Sequence, residues 1–117
     1  MVVCMGDFHH NVAGVLRPAF TDPASPVVAV EVVGGSVSSM NVTDALGRGL
    51  IPLARQLIPR VNPPIAYLDL KYHVYTKVVV TPEQMNVSYV AANTVSQPSP
   101  RRFLVAALHN SRWCLHP

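Results

Sequence analysis

The residues best placed to do chemistry stand together near the start of the chain: Gly6-Asp7-Phe8-His9-His10-Asn11. Asp7 and His9 are two apart. On a loop that follows a buried strand, a carboxylate and an imidazole at that spacing can reach one ion, because ligands of open α/β sheets sit beyond the carboxyl ends of strands. The carboxylate suits a hard cation and the imidazole a borderline one, so the pair fits Mn, Fe, Zn or a mixed site. A structural reading fits the same residues: Asp7 caps a following turn, and the histidines are ordinary polar groups of a loop. Gly6 is expected to let the backbone turn tightly there. Two ligands do not complete a site, since a catalytic ion usually takes three or more from the protein. The other histidines are His73, His109 and His116. His73 reads as a surface residue of a hairpin and the last two fall in an unpatterned end. The remaining ligands are therefore expected outside this chain.

Other chemistry-bearing patterns are weaker. Ser36, Ser38 and Ser39 follow Gly34-Gly35. Such a loop either presents backbone N–H groups to an anion or is a plain flexible connector. The Gly-x-Ser-x-Gly motif of serine hydrolases is absent. Asn41-Val42-Thr43 and Asn86-Val87-Ser88 fit the N-glycosylation pattern, the second inside an expected strand. Glu31, inside an apolar run, is either edge-facing or paired. Cys4 and Cys114 allow one disulfide or two buried thiols, which leaves the redox compartment open.

These residues need elements to position them. Val2–Met5 is a short apolar run of the kind central to α/β sheets, with residues 7–11 as the polar loop at its end. Residues 17–26 are a Pro-rich loop, and Val27–Val33 is a second β-branched run broken by Gly34-Gly35. Thr43–Ile58 is the helix candidate, with Thr43 as its cap. Leu46, Leu50, Leu53 and Leu57 recur at helical spacing, and Pro52 is expected to kink or split it. Ile65–Leu70, Val74–Thr81 and Met85–Ala92 read as strands of an antiparallel meander beside the first two. In the last of them Val87, Tyr89 and Ala91 share one face. Phe103–Leu108 reads as an edge strand.

Composition sets the limits. A length of 117 residues allows one domain at most. Charged residues are 13%, against about 25% in a typical soluble domain, so a charge-driven disordered chain is excluded. Net charge is +3, but the basic residues are scattered and only Arg101-Arg102 are adjacent, so nothing signals a nucleic-acid partner. No run of 18 apolar residues signals a membrane span. Met1–Met5 lacks the basic leader of a signal peptide.

Several segments together resemble one family, the PhoD-like (alkaline phosphatase D) metallophosphatases. Val3-Cys4-Met5-Gly6-Asp7-Phe8-His9-His10-Asn11 is similar to that family's last metal-binding motif. Phe20–Ser25 and then Val30–Ser39 resemble its next stretch, usually a Val-Gly-Thr-Ser-Ile-Ser-Ser form. Asn62-Pro63-Pro64-Ile65-Ala66-Tyr67 resembles its Asn-Pro-His segment, with Pro64 where the family has His. Val78–Gln84 through Tyr89-Val90 resemble its closing strands. The likeness runs over residues 3–105, with 106–117 an unmatched tail.

The resemblance implies a partial domain: the C-terminal half of a four-layer α/β/β/α metallophosphatase sandwich, β-rich with one main helix. It implies metal-dependent hydrolysis of phosphate mono- or diesters, with iron or a similar ion plus calcium as cofactors. By match to the motif, Asp7 and His9 are metal ligands, and His10 and Asn62 lie near the phosphate or behind the ligands. The family's earlier ligands lie upstream of this motif, whereas six residues precede Asp7 here. The chain is therefore expected to be inactive alone and to need the missing N-terminal half or a companion chain. The family is typically exported. The alternative is a non-catalytic β-rich interaction or structural module that pairs through apolar faces, with Asp7 and His9 incidental.

Overall fold

The computed structural model describes residues 1–41, 43–44, 47–92 and 100–111. The strands are β1 (Val2–Met5), β2 (Asn11–Leu16), β3 (Ala29–Val33), β4 (Ile65–Asp69), β5 (Val74–Val80), β6 (Gln84–Ala92) and β7 (Arg102–Ser111). A single turn of 3-10 helix at Arg48–Leu50 leads into helix α1 (Ile51–Val61). The strands form two sheets, in the orders β1-β3-β2-β4 and β5-β6-β7.

The first sheet is mixed. β1 runs parallel to β3, while β2 is antiparallel to both β3 and β4. β2 was not read as a strand from the sequence. Its backbone lies in the middle of the sheet, paired on both edges, and residues 11–14 are buried. Strand alternation sends Val12, Val33 and Leu68 to one face, where Ile51, Ala54 and Ile58 of α1 cover them. Val32 and Tyr67 point to the other face, against Val74, Met85, Val87, Tyr89 and Ala91 of the second sheet. The described layers are thus helix, sheet, sheet.

β4 joins the first sheet rather than the meander expected for it. The reason is its pairing with β2: Asn11 faces Asp69 and Gly14 faces Ile65, with a register shift at Ala13/Gly14. The start of β4 crowds Gly14, where a Cβ would stand 2.8 Å from the Pro64 carbonyl oxygen, so only glycine fits without a backbone shift. The meander proper, β5-β6-β7, follows the period-2 pattern. Met85, Val87, Tyr89 and Ala91 are buried and the residues between them are half-buried. β7 reaches Ser111, so a strand occupies the first part of the tail that matched no motif.

The helix departs from its expected span and face. α1 begins at Ile51 because Pro52 lies in the first turn, where its missing N–H has no intrahelical partner to lose. Ile51, Ala54 and Ile58 face the sheet, whereas Leu50, Leu53, Leu57 and Val61 form an exposed apolar stripe. Leu46 lies outside the described residues.

Candidate metal site

The loop between β1 and β2 carries the Asp-x-His pair. Asp7 (φ 70°) and His9 (φ 58°) both hold the left-handed backbone region, and Gly6 does not. The tight turn therefore rests on the two chemistry-bearing residues rather than on the glycine. Such conformations cost about 1–3 kcal/mol each and persist where the surroundings enforce them, often at functional sites. The Asp7 carboxylate is exposed and has no hydrogen bond or ion pair among the described residues. His9 places Nδ1 at 2.9 Å from the Met40 carbonyl oxygen. A carbonyl only accepts, so that contact calls for a proton on Nδ1 and leaves the Nε2 lone pair bare. Metal-ligating histidines are commonly oriented by such a bond on the other ring nitrogen. The donor set of this loop therefore fits a cation. Among the described residues no three His, Cys, Asp or Glu side chains converge closely enough to hold one.

Behind the loop lies a buried polar cluster. Asn11, fully buried, donates from Nδ2 to Asp69 Oδ2 and to the Tyr72 carbonyl, both at 3.1 Å, and accepts from the Gly35 N–H at 3.0 Å. Asp69 also accepts from the Tyr72 N–H at 3.1 Å. One carboxamide thus ties the loops after β3 and β4 to the root of the β1–β2 loop. Gly35 has to be glycine, since a Cβ there would stand 2.4 Å from Asn11 Oδ1. The anion-nest reading of the Gly-Ser loop is not supported. The Gly34 N–H donates to the Met5 carbonyl, that of Gly35 to Asn11, and those of Ser38 and Ser39 to Ser36 Oγ.

A second set of bonds holds the far end of that loop. The Asp44 N–H donates to Asn41 Oδ1 at 2.9 Å, and the Asn41 N–H donates to Asp44 Oδ2 at 3.1 Å. These reciprocal bonds follow the capping-box pattern, and Asn41 rather than Thr43 makes them. The Thr43 hydroxyl lies 2.6 Å from the Leu70 carbonyl and 2.7 Å from Asn41 Oδ1. Asn41 is buried and so engaged that its sequon offers no accessible acceptor. His73 is not the surface residue expected: its Nε2 lies 3.1 Å from Asp44 Oδ2, with the side chain 10% exposed.

His10 is buried, edge-on to the Phe8 ring at 5.3 Å, and its Nδ1 has no hydrogen-bond partner among the described residues. Burial pulls its pKa below the ordinary imidazole value. The carboxylate of Asp69 opposes that pull and His9 adds to it, so the ring is neutral at pH 7. It lines an apolar cavity of about 690 Å³ between the first sheet and α1, beside Gly6 and Phe8. Asn62 stands apart from this group. It ends α1, donates from Nδ2 to the Ile58 carbonyl at 3.0 Å, and leads into the Ile65 end of β4. The cluster is at the Asp69 end, four residues along the strand, or roughly 13 Å at the usual strand rise. The structure thus brings Asp7, His9 and His10 into one loop and leaves Asn62 at the opposite end of the sheet. Asn11 closes the motif but was given no role from the sequence, and Asp69 was not singled out, although a polar residue opening a buried strand is a readable signal. Cys114 and His116 lie outside the described residues, and with Cys114 the question of a disulfide to Cys4.

The fold and this loop define a class: two packed β-sheets with a helix on one face and a candidate cation loop at the end of one strand. Among solved structures it is similar to one titled "Structure of PhoD", with a TM-score of 0.73 and 22% identity. The match covers 95% of this chain and 20% of that one, so the chain spans about a fifth of the length of that structure. The family model of the PhoD-like phosphatases matches residues 1–89, and the chain belongs to that family. No curated protein matches it.

Proposed function

We propose that this chain is the C-terminal portion of a metal-dependent phosphoesterase, acting on phosphate mono- or diesters once further polypeptide completes its site. The observation that carries this is the loop geometry. His9 is oriented by the Met40 carbonyl with Nε2 bare, next to Asp7, which has no partner among the described residues, in a chain of the PhoD-like phosphatase family. Asp7 and His9 would hold an ion, iron or a similar metal with calcium nearby. When bound, such ions supply positive charge to a phosphoryl oxygen and lower the pKa of a bound water. The chain's own residues hold and orient the loop. Asn11 and Asp69 fix the loops around the site, and His10, packed edge-on to Phe8, stands directly behind it.

Two features support the need for more polypeptide. The stripe of Leu50 before α1 and Leu53, Leu57 and Val61 on it is exposed, and β1, with no charge or proline to protect it, is open along one edge. The same features favour the second reading, a non-catalytic interaction module. The discriminating experiment incubates purified chain with Mn, Fe, Zn and Ca in turn and follows bis-p-nitrophenyl phosphate hydrolysis, with and without the rest of a PhoD-like enzyme supplied as a separate polypeptide. Turnover only in the mixture, lost in Asp7→Ala, supports the phosphoesterase reading. Association without turnover, unaffected by Asp7→Ala, supports the module.

A further inference from the structure

The bond that orients His9 has a second end. Met40 C=O and Asn41 N–H belong to one peptide group, and in a trans peptide they point in opposite directions. The carbonyl faces His9 Nδ1 at 2.9 Å, and the N–H donates to Asp44 Oδ2 at 3.1 Å. His73 Nε2 lies 3.1 Å from that same carboxylate oxygen. His73, Asp44, the 40–41 peptide and His9 thus form one continuous line of hydrogen bonds. We infer that Asp44 is a positioning residue for His9, acting through the intervening peptide as a remote carboxylate partner of the imidazole. The inference rests on the reading of His9 as a metal ligand only for its functional meaning, since the relay itself is a property of the chain without metal.

Asp44 acts on this peptide in two ways. A carboxylate on the peptide N–H fixes the plane of that peptide, so the carbonyl is held on Nδ1 instead of rotating to solvent. It also polarises the peptide, which makes the carbonyl a stronger acceptor, as chains of hydrogen bonds do in a low-dielectric setting. Both favour the Nδ1–H tautomer. That tautomer keeps Nε2 free to ligate and raises its basicity, the role a direct carboxylate plays in many metal sites. Asp44 is anchored for this task by its own N–H on Asn41 Oδ1, and the turn is tied to β4 by Thr43 on the Leu70 carbonyl. A capping box alone would stabilise the turn. It would not require the capped peptide to face a histidine of the candidate site.

The test uses the full chain, uniformly labelled with 15N and free of metal, at a pH about two units above the ordinary imidazole pKa of ~6.5. Long-range 1H–15N correlations of the His9 ring report which nitrogen carries the proton. The wild type is expected to show a protonated Nδ1 and a bare Nε2. In Asp44→Ala the ratio of Nδ1–H to Nε2–H is expected to fall about fivefold, the size of one ordinary hydrogen bond. Asp44→Asn keeps an acceptor without the charge and is expected to fall part of the way. It carries the test if the alanine variant does not fold. A wild type protonated on Nε2, or folded variants with the wild-type ratio, overturns the relay. Adding Mn(II) to the same samples separates this from the ligation reading. Broadening at Asp7 and His9 with an unchanged tautomer ratio leaves ligation standing and removes the relay. A shifted ratio without broadening supports the relay and removes ligation.

Discussion

The space between the two sheets and the loop end of the first sheet are both buried, but they are built from opposite materials. Between the sheets, Val32, Val74, Met85, Val87 and Ala91 surround Tyr89, and a buried hydrogen bond runs from its hydroxyl to the Val12 carbonyl at 2.7 Å. At the loop end, Asn11 with Asp69 and Asn41 with Thr43 form two buried hydrogen-bonded pairs that define the loops. Apolar burial is non-directional and supplies most of the stability. Buried amides and carboxylates add little net stability, but leaving one unpartnered is expensive, so they hold their surroundings to one geometry. The first region keeps the chain folded. The second decides where Asp7 and His9 stand.

The largest expected effect lies in the first region. Tyr89→Ala removes the centre of the inter-sheet packing and should cost about 3–5 kcal/mol, read as a fall in urea midpoint. In a chain this small that is most of the stability, so the comparison breaks if Tyr89→Ala unfolds no more readily than a surface variant.

Next comes the second region. Gly35→Ala drives a methyl against the Asn11 carboxamide and should cost about 1–3 kcal/mol. Its amide shifts should concentrate at Asn11, Met40 and His9 rather than between the sheets. Shifts spread evenly over both regions would show that the loops are not held as a unit.

A finer contrast sits within the first region. Tyr67 stacks on Tyr89 at 5.1 Å, but its hydroxyl has no partner among the described residues, and burial with the nearby Asp69 carboxylate pushes its pKa up to about 12. Tyr89→Phe should lose about 1 kcal/mol with its bond to Val12. Tyr67→Phe should lose nothing and can gain, because it removes a buried orphan hydroxyl. Equal losses in the two variants would contradict this assignment.

The smallest effect is a pH dependence. The His10 pKa in the folded chain is lowered, chiefly by burial, below its value in the unfolded chain. Between the two values the unfolded chain takes up a proton that the folded chain does not. Stability is therefore full above about pH 6.5, declines as pH falls toward the folded pKa, and flattens below it. His10→Gln should remove this component of the slope in urea midpoints compared between pH 8 and pH 5.

The second sheet could be read from the sequence because its information is local. The alternation of Met85, Val87, Tyr89 and Ala91 fixes which face is buried, and the turn at Thr81 fixes the pairing. The first sheet was only half legible. β2 is buried within residues 11–14, so it carries no alternation, and β4 joins it across more than 50 residues, which no local pattern announces. The helix misled for another reason. Its leucines repeat at helical spacing, yet they lie on the exposed side, while Ile51, Ala54 and Ile58 face the sheet. Periodicity gives a stripe but not what the stripe faces. Asp7, His9 and His10 were legible as a motif. The group that meets His9, the Met40 carbonyl, lies 31 residues away and reaches the motif only in the fold.

The most direct test of the account is a map of where a cation touches the folded chain. Mn(II) is titrated into 15N-labelled wild type and Asp7→Ala, and paramagnetic broadening is followed residue by residue. The account predicts broadening centred on residues 6–10, strongest at Asp7 and the His9 ring and lost in Asp7→Ala, without phosphodiester turnover by the chain alone. Broadening centred elsewhere, or unchanged in Asp7→Ala, would contradict the assignment of the loop as half of a metal site.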